Sequence, residues 1–183
     1  MHATDAQGIQ VDTPDTGYKV PGAFAGWWTP GQWNEGVPYQ WGGFATPEEF
    51  DREIAAGKAA GDVYTQEKRR LLDAAVSRQA TGIDCSGFIS RCWRLPRSYS
   101  TRELQSICTP VGSWNDLQPG DILNTWNSHV ILFGGWMDAG KTKVIAYEAG
   151  APPHWLVVSH WISAAELQAK GFSPLRYKAM RDR

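Results

Sequence analysis

At 183 residues the chain is long enough for one domain with a full hydrophobic core, and 42% hydrophobic with 20% charged residues is ordinary for a globular protein. A formal net charge of −1, with Lys68-Arg69-Arg70 the one dense basic run, excludes a field that would attract nucleic acid or an anionic membrane. No apolar run is long enough to span a bilayer, and the polar stretch from Met1 to Asp15 carries no signal-peptide core.

Residues 1–17 read as a loose polar arm, leaving a single domain over 18–183. Residues 18–43 are so dense in Trp, Pro and Gly that an ordered loop is expected there. Thr46-Pro47-Glu48-Glu49 is a helix start: Thr46 caps, Pro47 suits the first position and the two Glu complement the dipole. A second helix is expected from Thr65 to about Gln79, with Leu71, Leu72, Ala75 and Val76 at helical spacing. After a tight turn at Thr81-Gly82-Ile83, a helix beginning near Cys85 places Phe88, Ile89, Cys92 and Trp93 on one face, and Leu95-Pro96 ends it. A short helix follows around Thr101–Ile107.

From Leu117 the periodicity changes to that of strands. Asp121–Trp126, His129–Trp136, Lys143–Glu148, Trp155–Trp161 and Pro174–Ala179 are short, β-branched or aromatic, and separated by turn residues. Ser163–Lys170 reads as a helical insert before the last of them. Helices followed by a meander of strands predict an α+β fold with an antiparallel sheet of about five strands.

Three residues carry the chemistry. Cys85 opens a helix, where unpaired N–H groups and the dipole favour a thiolate over the free thiol's pKa of about 8.5 and offer donors to an oxyanion. His129 opens one apolar strand and Glu148 closes the next, and in an antiparallel hairpin the start of one strand lies beside the end of its neighbour. A thiol, an imidazole and a carboxylate in that order form a nucleophile, a base and the group that orients the base. Cys92 and Cys108 are expected to pack structurally, with Cys92 on the apolar helix face. An odd cysteine count gives no disulfide framework. The four His show no metal-ligand spacing, so no metal and no cofactor are expected.

Four ordered motifs give this reading a family. Tyr39-Gln40-Trp41-Gly42-Gly43, Asp84-Cys85-Ser86-Gly87-Phe88-Ile89, Pro119-Gly120-Asp121-Ile122 and Ser128-His129-Val130-Ile131 resemble the motifs of the NlpC/P60 cell-wall peptidases. The resemblance covers roughly residues 37–43 and 82–150. It implies a papain-like fold with Cys85 as nucleophile, His129 as base and Glu148 at the third position, where the family often has His. It implies a Tyr39 hydroxyl facing the site, substrate contacts from Asp84 and Ser86, with Asp84 taking a substrate amine, and a further contact from Ser100, with Ser98 the rival alignment. One departure stands out. About forty residues, rather than a few, separate the Tyr39 and Cys85 motifs, so a helical insert at about 46–79 is expected, either shaping the cleft or distant from it.

The implied activity is cysteine-dependent hydrolysis of amide bonds in peptidoglycan peptides or muropeptides, between γ-linked D-Glu and a diamino acid, by a monomer. The alternatives are an amidase or acyltransferase on a non-wall substrate and a non-catalytic wall-binding module. Wall substrates imply export with the signal peptide absent from this chain, or recycling of muropeptides in the cytoplasm.

Overall fold

The computed structural model describes residues 3–4, 10–11, 15–16, 27–62, 76–151 and 155–180. In chain order the elements are β1 (Ala3–Thr4), β2 (Gln10–Val11), α1 (Pro47–Ala55), β3 (Ala59–Ala60), β4 (Ala80–Thr81), α2 (Cys85–Cys92), α3 (Thr101–Leu104), β5 (Cys108–Pro110), β6 (Ile122–Asn124), β7 (Val130–Trp136), β8 (Lys143–Ala151), β9 (Leu156–Ser163), α4 (Ala164–Ala169) and β10 (Ser173–Tyr177). The fold is α+β, as the order of elements predicts. Its centre is a six-stranded sheet in the order β5-β10-β6-β7-β8-β9, with every neighbouring pair antiparallel.

Alternation buries both faces of the centre of that sheet. Ile122 and Val130 point to one face and pack with Cys85, Ile89, Leu95 and Leu104 from the α2–α3 region. Leu123, Ile131, Phe133, Val144 and Ala146 point to the other and pack with Ala164 and Leu167 of α4. The sheet is therefore a layer between helices, and α2 is fixed by its contacts with β7 and β8.

The last strand is tied in by charge. Asp121 of the Pro-Gly-Asp turn is fully buried and accepts from Arg176 Nε at 2.8 Å, Arg176 Nη2 at 2.7 Å and Gln118 N at 2.8 Å. A bidentate guanidinium with a third donor satisfies a carboxylate that would otherwise be far too costly to bury.

Several expectations are corrected. The sheet has a sixth strand, β5, which has no apolar alternation of its own and forms only by pairing with β10. The helix expected over Thr65–Gln79 lies outside the described residues up to 75, and Val76–Gln79 is not helical. The carbonyls of Ser77 and Ala80 are drawn to Gln40 Nε2, and Ala80–Thr81 pairs in parallel with Ala59–Ala60, so the backbone is committed elsewhere. Cys92 is exposed rather than in the core. Of the expected Phe88–Ile89–Cys92–Trp93 stripe, Ile89 is buried and Phe88 and Trp93 pack against the same core, so only Cys92 departs from it; Cys85, Ser86, Gly87 and Ser90 are buried as well. The stretch expected as a loose arm contributes β1, β2, Asp15, which is buried and accepts from Ala60 N at 2.8 Å, and Thr16, whose N donates to Trp28 O at 2.8 Å; its other residues lie outside those described. No helix among the described residues is long and apolar enough to cross a membrane.

Candidate active site

The start of α2 is set by Asp84. Its backbone is extended, and its Oδ1 accepts from Gly87 N at 2.5 Å and from Ser86 Oγ at 3.1 Å, the pattern of an N-cap. Its Oδ2 accepts from Gly42 N at 2.9 Å, and Asp84 N donates to Gly43 O at 3.1 Å. The Tyr39–Gly43 segment is thus docked on the helix start. The fit requires glycine twice: a Cβ at Gly87 would run into Gly43 O, and a Cβ at Gly43 would meet Gly82 O at 2.6 Å. Burial raises the Asp84 pKa against these hydrogen bonds.

This geometry places Cys85 first in the helix, where its N–H has no intrahelical acceptor. Cys85 is buried to 8% exposure yet lines a cleft of about 630 Å³. His129 is held just before β7 by a tight loop, in which His129 N donates to Thr125 Oγ1 at 2.9 Å and Thr125 N donates to His129 O at 2.8 Å. Its ring meets the edge of Phe172.

On the sheet, β8, β9 and the residue leading into β7 set a row across one face. Glu148 of β8 shares the face of Ala146, and His160 of β9 lies directly across from Ala146. His129 Nε2 bonds Glu148 Oε2 at 2.5 Å, and His160 Nε2 bonds Glu148 Oε1 at 2.5 Å. Nε2 of His129 is committed to Glu148, and the same ring lies close enough to Cys85 for the two side chains to interact.

The electrostatics follow from these contacts. Burial works against the His129 imidazolium, but hydrogen bonds to Cys85 and Glu148, and their charges, outweigh it and raise its pKa to about 10. Burial likewise opposes ionisation of Glu148, and its two imidazole partners reverse this and hold its pKa below the ordinary 4.5. A thiol beside an imidazolium kept charged by a buried carboxylate is the arrangement that nucleophilic acyl transfer requires.

Of the residues singled out in the sequence, Cys85, His129, Glu148 and Tyr39 line this one cleft. Tyr39 packs its ring on Trp155 at 5.4 Å between centroids, and Tyr39 N donates to Trp155 O at 2.7 Å. Asp84, Ser86 and Ser100 are not brought to it. Asp84 and Ser86 bond each other at the cap. Ser100 caps α3 in a reciprocal pair with Glu103 and is exposed, and Ser98 does not line the cleft either. None of the described residues of the 46–79 insert lines it. Phe50 packs edge-on to Trp28, and Glu49 pairs with Arg91, away from Cys85.

Sequence reasoning missed His160, Trp155 and Trp161, which line the cleft. His160 stands two residues beyond Val158, the partner of Glu148, and so on the same face, which only the register of β8 and β9 discloses. Nothing in the sequence marked Trp155, whose backbone sits at φ 53°, a strained conformation for an aromatic residue. Among the described residues no group of three or more His, Cys, Asp or Glu is arranged to hold a metal ion. Searches of protein-family models, curated proteins and solved structures return no match for this chain.

Proposed function

We propose that the protein is a cysteine hydrolase that cleaves amide bonds. The observation that carries the reading is the convergence of Cys85, His129 and Glu148, from the start of a helix, the turn before one strand and the strand beside it, on one cleft, with His129 bonded to Glu148 and interacting with Cys85. A core of ordinary packing has no need of an imidazolium held against burial by a thiol and a carboxylate.

In the first step the Cys85 thiolate attacks the amide carbonyl carbon and forms the C–S bond. The developing oxyanion is met by the Cys85 N–H at the helix start, with the Tyr39 hydroxyl on the same cleft. His129 gives its proton to the amide nitrogen as the C–N bond breaks, and the amine leaves. Neutral His129 then takes a proton from water, whose oxygen attacks the thioester. The C–S bond breaks, the acid leaves, and the thiolate–imidazolium pair is restored. Glu148 keeps the imidazole in one orientation through both steps and stays ionised.

The four motifs that resemble the NlpC/P60 peptidases support a papain-like relation and a peptide of peptidoglycan as substrate, cut between γ-linked D-Glu and the diamino acid. The test is mass spectrometry of L-Ala-γ-D-Glu-diaminopimelate peptides incubated with the wild type and with Cys85→Ala. A product from the wild type alone supports both the reaction and the bond. No product, with a Cys85 that alkylates rapidly at neutral pH, removes the wall substrate and keeps the hydrolase.

A second reading concerns the substrate alone. Tyr39, Trp41, Trp155, Trp161 and Phe172 surround the cleft. That much aromatic surface favours an amide with an apolar acyl or aromatic flank. Turnover of N-acyl amides in preference to wall peptides would select it.

A further inference from the structure

Glu148 has only 7% of its side chain exposed, and it holds two imidazoles rather than one. An ionised carboxylate accepts hydrogen bonds and donates none, so both rings must present an N–H to it. Oε2 takes the ring of His129 and Oε1 takes the ring of His160. The two contacts differ in what lies beyond them. His129 continues to Cys85. His160 continues to nothing in the hydrolytic chain, and 38% of its side chain is exposed. Glu148 lies on β8 and His160 on the adjacent β9, while His129 immediately precedes β7 on the other side of β8.

A carboxylate anchored at one oxygen can still turn about its terminal torsion, which is soft. Anchored at both oxygens, by one ring on β9 and one in the tight turn that leads into β7, it cannot turn without losing a bond. We propose that His160 is a positioning residue of the hydrolytic centre. Its Nε2–H fixes the Glu148 carboxylate so that Oε2 stays aimed at His129, extending the chain to Cys85–His129–Glu148–His160. The proposal rests on the hydrolase reading above and adds to it a residue that does not touch the reacting atoms.

The alternative is that His160 merely fills the cleft wall beside Trp161, and the sign of one effect separates the two. If Glu148 stays in place when the His160 donor is removed, its charge is less satisfied, and it draws harder on His129, whose pKa then rises. If Glu148 swings away, His129 loses its partner and its pKa falls. The titratable groups lining this cleft are Cys85, His129, Glu148, His160, Glu166 and Lys170, with Tyr39 opposite. Glu166 and Lys170 are paired with each other at 2.6 Å.

The experiment follows the His129 ring by nitrogen-edited NMR, in parallel with amide hydrolysis and Cys85 alkylation, in the wild type, His160→Phe and His160→Gln. Phe keeps the ring volume without a donor, and Gln returns an N–H near the position of Nε2. The expected result for His160→Phe is a His129 midpoint lower than in the wild type by about one pH unit or more, with kcat reduced about tenfold or more and KM within about twofold. His160→Gln restores most of both. A midpoint that stays or rises in His160→Phe, or a Gln variant as impaired as the Phe variant, overturns the positioning role. Thermal denaturation of each variant reports folding, and a Phe variant that does not fold leaves the Gln variant to decide: near-wild-type midpoint and kcat support the proposal, and loss of both overturns it. Failure of the two readings is distinguishable. A wild-type His129 that titrates like free imidazole, beside a Cys85 that alkylates like a free thiol, removes the hydrolase and this proposal with it. An intact wild-type pair that His160→Phe leaves unmoved removes only His160.

Discussion

Cys85 and Glu148 have separable roles, and substitution should expose them differently. In the proposed hydrolysis Cys85→Ala removes the only atom that bonds to substrate, so kcat should fall by on the order of 10⁴-fold or more, with ligand binding retained. Glu148→Gln keeps the shape but removes the charge that holds His129 protonated, and kcat should fall about 10²-fold or more. The pH profile gives the sign. In the proposed mechanism His129 carries its proton to the leaving amine, and its pKa of about 10 reflects Cys85 and Glu148 together. Activity of the wild type should therefore persist through neutral pH and decline only as pH rises through about 10. In Glu148→Gln the declining limb should move to lower pH. A limb that stays in place would mean that Cys85 alone holds the proton. The positions of these residues were readable one by one, because a thiol at a helix start and an imidazole at a strand start are local signals. Asp84 is the contrasting case. Its place beside the nucleophile suggested a substrate amine, while all of its visible bonds go to the protein itself.

The elements that present these residues depend on a few polar ties. Asp84 caps α2 and fastens Gly42 to it. Asp84→Ala should lower stability by about 1–2 kcal/mol, typical for loss of an N-cap, and Asp84→Asn, which keeps an acceptor for Gly87 N, should recover most of that. Thermal denaturation checks both. A raised KM in Asp84→Asn at unchanged stability would instead assign Asp84 to substrate. At the other end of the sheet, Arg176→Met leaves the Asp121 carboxylate buried with its guanidinium gone. The expected loss is about 3–5 kcal/mol, read by urea denaturation, with the cleft geometry intact in the folded fraction. The Pro119-Gly120-Asp121 motif is thus a structural clamp, which its sequence alone did not disclose because Arg176 is 55 positions away.

At the scale of the whole molecule, the His129–Glu148 pair couples stability to pH. The folded pKa of His129 is raised above its ordinary 6.5, so its contribution is complete below that value and is lost as pH rises through about 10. The folded pKa of Glu148 is lowered, so its contribution is present above 4.5 and is lost as pH falls through the lowered value. The difference in melting temperature between wild type and Glu148→Gln should therefore be largest between about pH 5 and 6.5 and shrink on both sides. A difference independent of pH would show that Glu148 stabilises by packing alone. The insert between the Tyr39 and Cys85 motifs acts at this scale too. Its described residues pack α1 on Trp28 and Arg91, so a Phe50→Ala substitution should cost about 3–5 kcal/mol and leave kcat/KM of the folded enzyme unchanged.

The sequence by itself determined the α+β class, the start of α2, the five principal strands and the cluster of Cys85, His129 and Glu148. Each of these rests on short-range patterns: a capping residue, alternation of period two, and the rule that one hairpin strand begins where its partner ends. Only the tertiary structure decided the sixth strand, the exposure of Cys92, the clamp at Asp121 and the pairing of Glu148 with His160. For the strand, the clamp and the histidine pairing, the deciding partner lies on another element of the sheet, whose register the sequence does not disclose. A strand such as β5 exists because β10 offers it hydrogen bonds, and a histidine such as His160 matters because β9 returns beside β8 in one register and not another.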